Sequence, residues 1–550
     1  MAVTAVLGVN AVFHDPAAAL VVDGETVAAA EEERFSRRKH GKPAVPFSTW
    51  ELPVASMQWC LAEAGIGPGD LTAVAYSYDP ALARGTADVV ADGWEGLRTL
   101  YVERAPRFLA SALPGLAADR VRFVAHHLAH AASAAYAAPF SESAVLVLDG
   151  RGERHSHFAG HANGRAIERL AAQQLPHSLG LMYEELTEHL GFHRSSDEYK
   201  VMALASYGEP EHLADFRRIV RLRPDGGFHV GPIDWSSYAP RVVPGAELSD
   251  AHAALAASVQ TRLEEVVVGL AQWIFGRTGA EAITLAGGVA LNCVANGRLA
   301  AEGPFEDVWV QPAAGDAGTA LGAALQVTRE LGCRPQPMPS AALGRGWTDE
   351  EIGGALLLAD VAFERPDDIA AAAAEVLAAG GVVGWFQGRS EYGPRALGHR
   401  SLLASPADHS MLHRLNDVKG REQFRPVAPM VLEERAAELF EGVVPSPFML
   451  FVHRVRDGWR ERIPAVVHVD GTARVQTVDR VDEPLLARLL DAFAARTGLP
   501  VLVNTSFNTA GRPMVDEPRD ALECFGASSI DALAIGPFLL RRRRNGQTAG

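Results

Sequence analysis

Lysine is almost missing from this chain: only Lys39, Lys42, Lys200 and Lys419, four of 51 basic residues, are lysine. Where any surface cation would serve, the sequence writes arginine, so these ammonium groups mark places that want a compact, rotatable donor. Cysteine is as scarce. Cys60, Cys293, Cys333 and Cys524 are the only four, with no close pair, which leaves no disulfide framework or zinc ribbon and points to a reducing compartment. Basic charge is short too: 67 acidic residues face 51 basic ones, for a net charge of −16. That balance counts against nucleic acid as a partner, because phosphate binding needs a net basic face. No run approaches the ~18 uninterrupted apolar residues of a membrane span, so no membrane partner is expected. MAVTAVLGVNAVFHDP has no basic leader and reaches His14 and Asp15 before any long apolar stretch. No signal peptide is expected, and the protein is placed in the cytoplasm.

The 550 residues leave room for roughly three to four domain-sized units. AVLGVN (5–10) and AAALVVDGETVAAA make a strand followed by a hairpin, with Asp23-Gly24 as its turn. The layout returns about 140 residues later, where AVLVLD (144–149) precedes HSHFAGHANG and its Asn163-Gly164 turn. Two such openings predict a duplicated α/β domain with a cleft between its halves. Helices are expected over 53–66, 128–138 and 251–279, from apolar residues at three- and four-residue steps. Residues 281–300 read as strand, glycine turn and helix. The proline-rich, aperiodic CRPQPMPS (333–340) sets a domain boundary, giving 1–340 and 341–550. Beyond it, GLPVLVNTSFN (498–508) is a strand running into a polar loop, and Arg541 to Arg544 reads as a solvated run.

HHLAH (126–130) places His126 and His130 one helical turn apart on one face, with His127 pointing elsewhere. That is the spacing two imidazoles need to chelate one ion, although 19 histidines also leave room for an incidental pair. Asp149 ends an apolar strand and Asp316, in AAGDAGTALG, opens a small-residue helix, so both are placed to face a cleft. Two imidazoles with two carboxylates suit Fe(II), Mn(II) or Zn(II) better than Mg(II). In LAGGVALN (285–292), Gly287 and Gly288 lie between strand and helix, where backbone N–H groups can meet a phosphate. Tight strand–helix packing wants glycine there as well. Lys200 reads either as a site residue or as a surface charge beside Glu198.

Taken together, HHLAHAASA, VLVLDG, LAGGVALN and GDAGTALGAA resemble the metal- and ATP-binding subunit that makes threonylcarbamoyl-adenosine in tRNA. HDPAAAL (14–20), EEERFSRRKH (31–40), FQGRSEYGPRALGHRS (386–401), REQFRPVAP (421–429), HVDGTARVQTV (468–478) and VNTSFN (503–508) extend the likeness over nearly the whole chain. The chain resembles most closely the O-carbamoyltransferases of antibiotic and nodulation-factor biosynthesis. The resemblance implies an α/β protein: residues 1–340 as a duplicated actin/Hsp70-type (ribonuclease H-like) domain, residues 341–550 as an α/β domain like threonylcarbamoyl-AMP synthase.

By that resemblance, His126, His130, Asp149 and Asp316 are the metal ligands. Lys39, Gly287, Gly288 and Asn292 contact the nucleotide beside the two aspartates, and His14 is the general base facing the acceptor hydroxyl. In the second half, Arg395, Arg400, Lys419, Arg421, Arg425 and Arg474 sit in or beside glycine, proline and asparagine loops rather than on helical faces. Guanidinium forks suit carbamoyl phosphate and a triphosphate. Arg395, Arg425, Arg474 and Asn504 rank first as carbamoyl phosphate binders, followed by Lys419 and Ser506. The implied reaction uses carbamoyl phosphate and ATP, with Mg(II), to make carbamoyl-adenylate, then transfers the carbamoyl group to a small-molecule hydroxyl. A fused tRNA threonylcarbamoyl transferase is the enzymatic alternative. It lacks its basic RNA track, and HSLGLMYEELTEHLGF (177–192) keeps only the outline of the corresponding turn. A nucleotide-binding partner protein on the same fold is the non-enzymatic one.

Overall fold

AVLGVN has no polar side chain before Asn10, so this strand belongs inside. In the computed structural model, which describes residues 3–83, 95–509 and 511–542, it is the buried middle strand of a five-stranded sheet. The chain divides into two compact units, Met1–Leu343 and Gly344–Gly550.

The first unit holds two sheets of one design. Strands β1 (Ala5–Asn10), β2 (Ala17–Val22), β3 (Glu25–Glu31), β4 (Ala73–Tyr76) and β5 (Val121–Phe123) lie in the order β3-β2-β1-β4-β5. The first three strands run antiparallel, and β4 and β5 run parallel to β1. Strands β6 (Ser143–Leu148), β7 (His155–Ala162), β8 (Ile167–Gln174), β9 (Ala282–Ala286) and β10 (Asp307–Val310) repeat this order and these directions. The expected hairpin turns are in place: Asp23 and Gly24 have φ of 50° and 93°, and Gly164 has φ of 74°. This doubled topology is the actin/Hsp70-type, ribonuclease H-like fold.

Six helices of this unit matter below: α1 (Val54–Glu63), α2 (His126–Ala135), α3 (Leu179–His189), α4 (Asp250–Thr278), α5 (Cys293–Glu302) and α6 (Ala317–Glu330). The two that follow the last strand of each sheet exchange places. Helix α2 follows β5 but packs on β6, β7 and β9, whereas α6 follows β10 but packs on β1, β2 and β4. They also pack on each other through HAASAA and AGTALGAA, faces of alanine, glycine and serine. Contact is backbone to backbone. A Cβ added at Gly322 would fall on the Ala129 carbonyl oxygen, and one at Gly8 on that of Ala320.

The second unit is built on a mixed sheet of seven strands: β11 (Val383–Phe386), β12 (Arg400–Ala404), β13 (Ala428–Leu432), β14 (Gln476–Val478), β15 (Val501–Ser506), β16 (Ala532–Ile535) and β17 (Phe538–Arg541). Their order is β14-β13-β15-β12-β11-β16-β17. Helices α7 (Ile369–Ala378) and α9 (Pro484–Thr497) pack together against it, and α8 (Ser410–Lys419) lies between β12 and β13 in the chain. Arg541 pairs with Glu364, and Arg542 donates to the Ile530 carbonyl, so this end of the basic run is tied down; Arg543 and Arg544 lie outside the described residues. Among the described residues no helix is long and apolar enough to cross a membrane.

This packing makes stability sensitive at particular positions. Gly322→Val should lower the thermal midpoint by the equivalent of roughly 3 kcal/mol or more, since the new atoms meet fixed backbone. Gly276→Ala, in α4 with open space around it, should be neutral or slightly stabilising. In the second unit burial pushes the His453 and His468 imidazoles down to about 4. The unfolded chain binds protons there from about pH 6.5 downward that the fold refuses. Stability measured by urea unfolding should fall from about pH 6.5 toward about pH 4, and His453→Phe should flatten that fall.

Candidate functional site

The helix exchange brings four predicted ligands to one place. His126 opens α2 with His130 one turn on, Asp316 immediately precedes α6, and Asp149 immediately follows β6. All four are buried, and one ligand atom from each lies within 4.8 Å of the others. His126 Nε2 is 3.3 Å from Asp149 Oδ2 and 3.6 Å from Asp316 Oδ1. His130 Nε2 is 3.9 Å and 3.6 Å from the same oxygens. His126 Nε2, His130 Nε2 and Asp316 Oδ2 make no hydrogen bond. Unpaired buried polar atoms cost about 1–3 kcal/mol each, so their convergence is the arrangement a divalent cation would satisfy.

Neighbours aim these ligands. His126 Nδ1 lies 3.3 Å from the Ser77 carbonyl, so the proton sits on Nδ1 and Nε2 keeps its lone pair for the cluster. Glu153 Oε1 accepts the backbone N–H groups of Asp79 and His126, each at 2.8 Å. Gly288 N–H donates to Asp149 Oδ1 at 3.2 Å, which leaves Oδ2 for the histidines. The glycine turn therefore serves the ligand shell directly. Gly287, at φ 89°, must be glycine because a Cβ would strike the Leu148 carbonyl oxygen. One expectation fails. His127 does not point away, for its Nε2 is 3.8 Å from Asp149 Oδ2, and burial beside His126 holds its pKa well below the usual histidine range.

His14 stands at the edge of this cluster, with Nε2 3.9 Å from Asp316 Oδ2 and Nδ1 3.0 Å from Asp15 Oδ2. Burial opposes its protonated form, but Asp316, Asp15 and Glu184 outweigh that and raise its pKa to about 10. The loop carrying it is pinned along its length. Asn10 Nδ2 donates to the His14 and Asp15 carbonyls, Lys42 Nζ to that of Ala11 at 2.5 Å, and Arg98 to that of Val12 at 2.6 Å.

Other predicted residues are placed less simply. Lys39 is 44% exposed and rests 3.3 Å from Glu33 Oε2. Asn292 caps α5 by accepting from Ala295 N–H and donates to Gln260, so its amide is already engaged. Sequence reasoning misses Asp15, His40 and Ser196, which surround His14; the adjacent His-Asp pair and the RRKH run are the available signals.

In the second unit the anion-site candidates are linked through one strand. Asn504 on β15 is fully buried and donates to the Ala396 carbonyl at 3.1 Å and to Gln476 Oε1 at 2.7 Å, tying the Arg395 loop to the Arg474 segment. Two residues on, Ser506 Oγ accepts from Lys419 Nζ at 2.9 Å, and Asn508 Oδ1 accepts from the same ammonium at 2.5 Å. Helix α8 carries both Lys419 and Asn416, and Asn416 Nδ2 holds the Arg425 carbonyl at 3.1 Å. Arg400 has another job. It is fully buried, stacks 3.7 Å over Phe386 and donates to the Gln387, Gly388 and Arg345 carbonyls, so it pins the fold.

Comparison with known proteins finds matches in both units. A family profile described as carbamoyltransferase N-terminus matches residues 5–119 and 113–325, and one described as carbamoyltransferase C-terminus matches 374–542. The nodulation protein NolNO of Sinorhizobium fredii is 40% identical over 97% of this chain and 80% of its own length. NolO of Bradyrhizobium diazoefficiens is 43% identical over 76% of this chain and 79% of its own. Among solved structures, HypF of T. kodakarensis matches 60% of this chain and 48% of its own at 12% identity and a TM-score of 0.35. With both halves of one family's profile matched in order, and relatives at this identity aligned over most of their length, the chain belongs to the carbamoyltransferase family.

Proposed function

We propose that this protein is a metal- and ATP-dependent O-carbamoyltransferase that modifies a hydroxyl of a secondary metabolite of the polyketide or macrolide, ansamycin or aminoglycoside type. One observation carries the reading: a histidine ring stands 3.9 Å from a carboxylate of a buried His2Asp2 cluster in which both ligand imidazole Nε2 atoms lack a hydrogen bond. On this reading residues 341–550 convert carbamoyl phosphate and ATP to carbamoyl-adenylate, releasing phosphate and pyrophosphate. Arg395, Lys419, Arg425, Arg474, Asn504 and Ser506 bind the carbamoyl phosphate, and their linkage through β15 supports that role.

Residues 1–340 then carry out the transfer. The acceptor oxygen attacks the carbamoyl carbon, the bond to the adenylate oxygen breaks, AMP leaves, and the hydroxyl proton passes to His14 Nε2. Lys39, Gly287, Gly288 and Asn292 are the residues that, by the family resemblance, would contact the nucleotide, Asn292 while also capping α5. Bound to His126, His130, Asp149 and Asp316, an Fe(II), Mn(II) or Zn(II) ion would neutralise the two carboxylates, Asp316 among those that hold His14 protonated, and would stabilise charge on the leaving phosphate.

The full chain given carbamoyl phosphate, ATP and Fe(II) should release pyrophosphate. A panel of hydroxylated natural products should then include one that drives AMP release and returns heavier by one carbamoyl group in place of hydrogen. No ATP consumption with metal present would overturn the reading. Two variants should part the half-reactions. Asp316→Ala should lose its bound metal and slow transfer roughly 100-fold, judged from the metal-ligand shell, while pyrophosphate release persists. Lys419→Ala should lose pyrophosphate release and keep its metal content.

A further inference from the structure

The groups around His14 that this reaction does not use form a chain of their own. Asp15 Oδ2 lies 3.0 Å from His14 Nδ1, and its Oδ1 lies 2.9 Å from His40 Nδ1. His40 Nε2 in turn lies 2.7 Å from Ser196 Oγ. Hydrogen bonding fixes the direction of the two links to Asp15. Burial opposes ionisation of Asp15, but His40 and His14 hold its pKa well below the usual carboxylate range, and a carboxylate only accepts. Both Nδ1 atoms must therefore donate. With His40 neutral, its Nε2 accepts from the Ser196 hydroxyl, and His14 Nε2 faces Asp316.

Polar loops often fill with hydrogen bonds, but these loops are bent to make theirs. Asp15 has φ of 46°, His40 of 60°, and Ser195, next to Ser196, of 56°. None is glycine, and L-residues enter this left-handed region only at a cost that the surrounding structure must offset. Each bend is clamped by a polar side chain: the Asp15 carbonyl by Asn10 at 2.9 Å, His40 N–H by Glu33 at 2.8 Å, and Ser195 N–H by Glu198 at 2.7 Å. Two of the strained residues, Asp15 and His40, are bonded to each other, and the third, Ser195, immediately precedes the serine that meets His40.

We propose that Asp15, His40 and Ser196 form a positioning relay that fixes the tautomer and direction of the His14 ring, keeping Nε2 turned to the reacting hydroxyl. The proposal rests on reading His14 as the base. Asp15 holds the ring, and His40 and Ser196 hold Asp15. His40 is a positioning residue that touches no substrate.

The test uses the full chain labelled with 15N-histidine in zinc-containing buffer. Proton NMR should show a downfield imidazole Nδ1 proton that disappears in His14→Ala. In His40→Ala this His14 signal should be lost to exchange, and the ring nitrogens should report the other tautomer. His40→Gln, whose amide can donate to Asp15 and accept from Ser196, should restore the signal. With an acceptor that supports turnover, His40→Ala should lower kcat roughly 10- to 100-fold, as for other groups that orient an active imidazole, leave the acceptor KM unchanged, and be largely rescued by His40→Gln. Ser196→Ala, a milder change that keeps the test open if His40→Ala does not fold, should weaken the same signal. An unaltered His14 Nδ1 signal in His40→Ala, or in Ser196→Ala where that is the variant that folds, would overturn the relay whatever the reaction proves to be. If the tautomer shifts as expected while His14→Ala retains full turnover, the relay stands and the assignment of the base fails.

Discussion

Everything at the first unit's site depends on how closely two helices approach. Helices α2 and α6 each leave one sheet and pack on the other, and they pass with backbone against backbone at Gly322 and Ala129. Larger side chains would hold helices at the usual 8–10 Å separation. Bare faces let the first turns of both helices converge instead, which sets His126 and His130 against Asp316. Asp149 enters from β6, the first strand of the second sheet. The ligand set thus draws on both halves of the duplicated domain, and the alanine-rich composition of HAASAA and AGTALGAA is as much a part of the site as the ligands themselves.

The scarcity of lysine has a physical counterpart. Lys42 is buried and spends its ammonium on the Ala11 and Ser48 carbonyls, and Lys419 spends its own on Ser506 and Asn508. Each gathers several oxygens at a single point, Lys42 from two separate segments and Lys419 from Ser506 and Asn508. Lys200 pairs with Asp197 above the Phe192 ring. Lys39, at 44% exposed, is the least enclosed of the four. Buried Arg400 does complementary work, spreading its fork across the Gln387, Gly388 and Arg345 carbonyls and laying its face on Phe386.

Much of this is legible in the sequence, and the reason is local encoding. Asp23-Gly24 and Asn163-Gly164 announce hairpins within a few residues, and their recurrence announces the duplication. The pair of histidines at four-residue spacing announces the His/Asp cluster in the same way. Asp149 and Asp316 can be placed only at element ends, and their meeting needs the family likeness. What stays hidden is non-local. Asp15, His40 and Ser196 are far apart in sequence, and nothing in EEERFSRRKH says that Glu32 caps α1 while Glu33 holds the His40 backbone. Asn292 reads as a nucleotide contact, and the sequence gives no separate sign that it also caps α5, a common duty of an asparagine before a helix. The seven-stranded sheet is unreadable as well, because its order interleaves strands from across the second unit.

On the proposed reading, the second unit illustrates a constraint on any site that must hold a dianion with several cations. If carboxylates placed those cations, they would compete with the ligand for the same charge. Here the observed placing groups are largely neutral. Asn416 holds the Arg425 carbonyl and accepts from Arg421 Nε, Asn504 and Gln476 join the Arg395 loop to the Arg474 segment, and Lys419 meets hydroxyl, amide and carbonyl oxygens. Arg425 also lies 3.6 Å from Glu422. On the proposed reading, these amides set the geometry in which the cations meet carbamoyl phosphate. That places the energetic weight on buried amides such as Asn504, whose loss would disperse two arginine-bearing segments without removing a single charge.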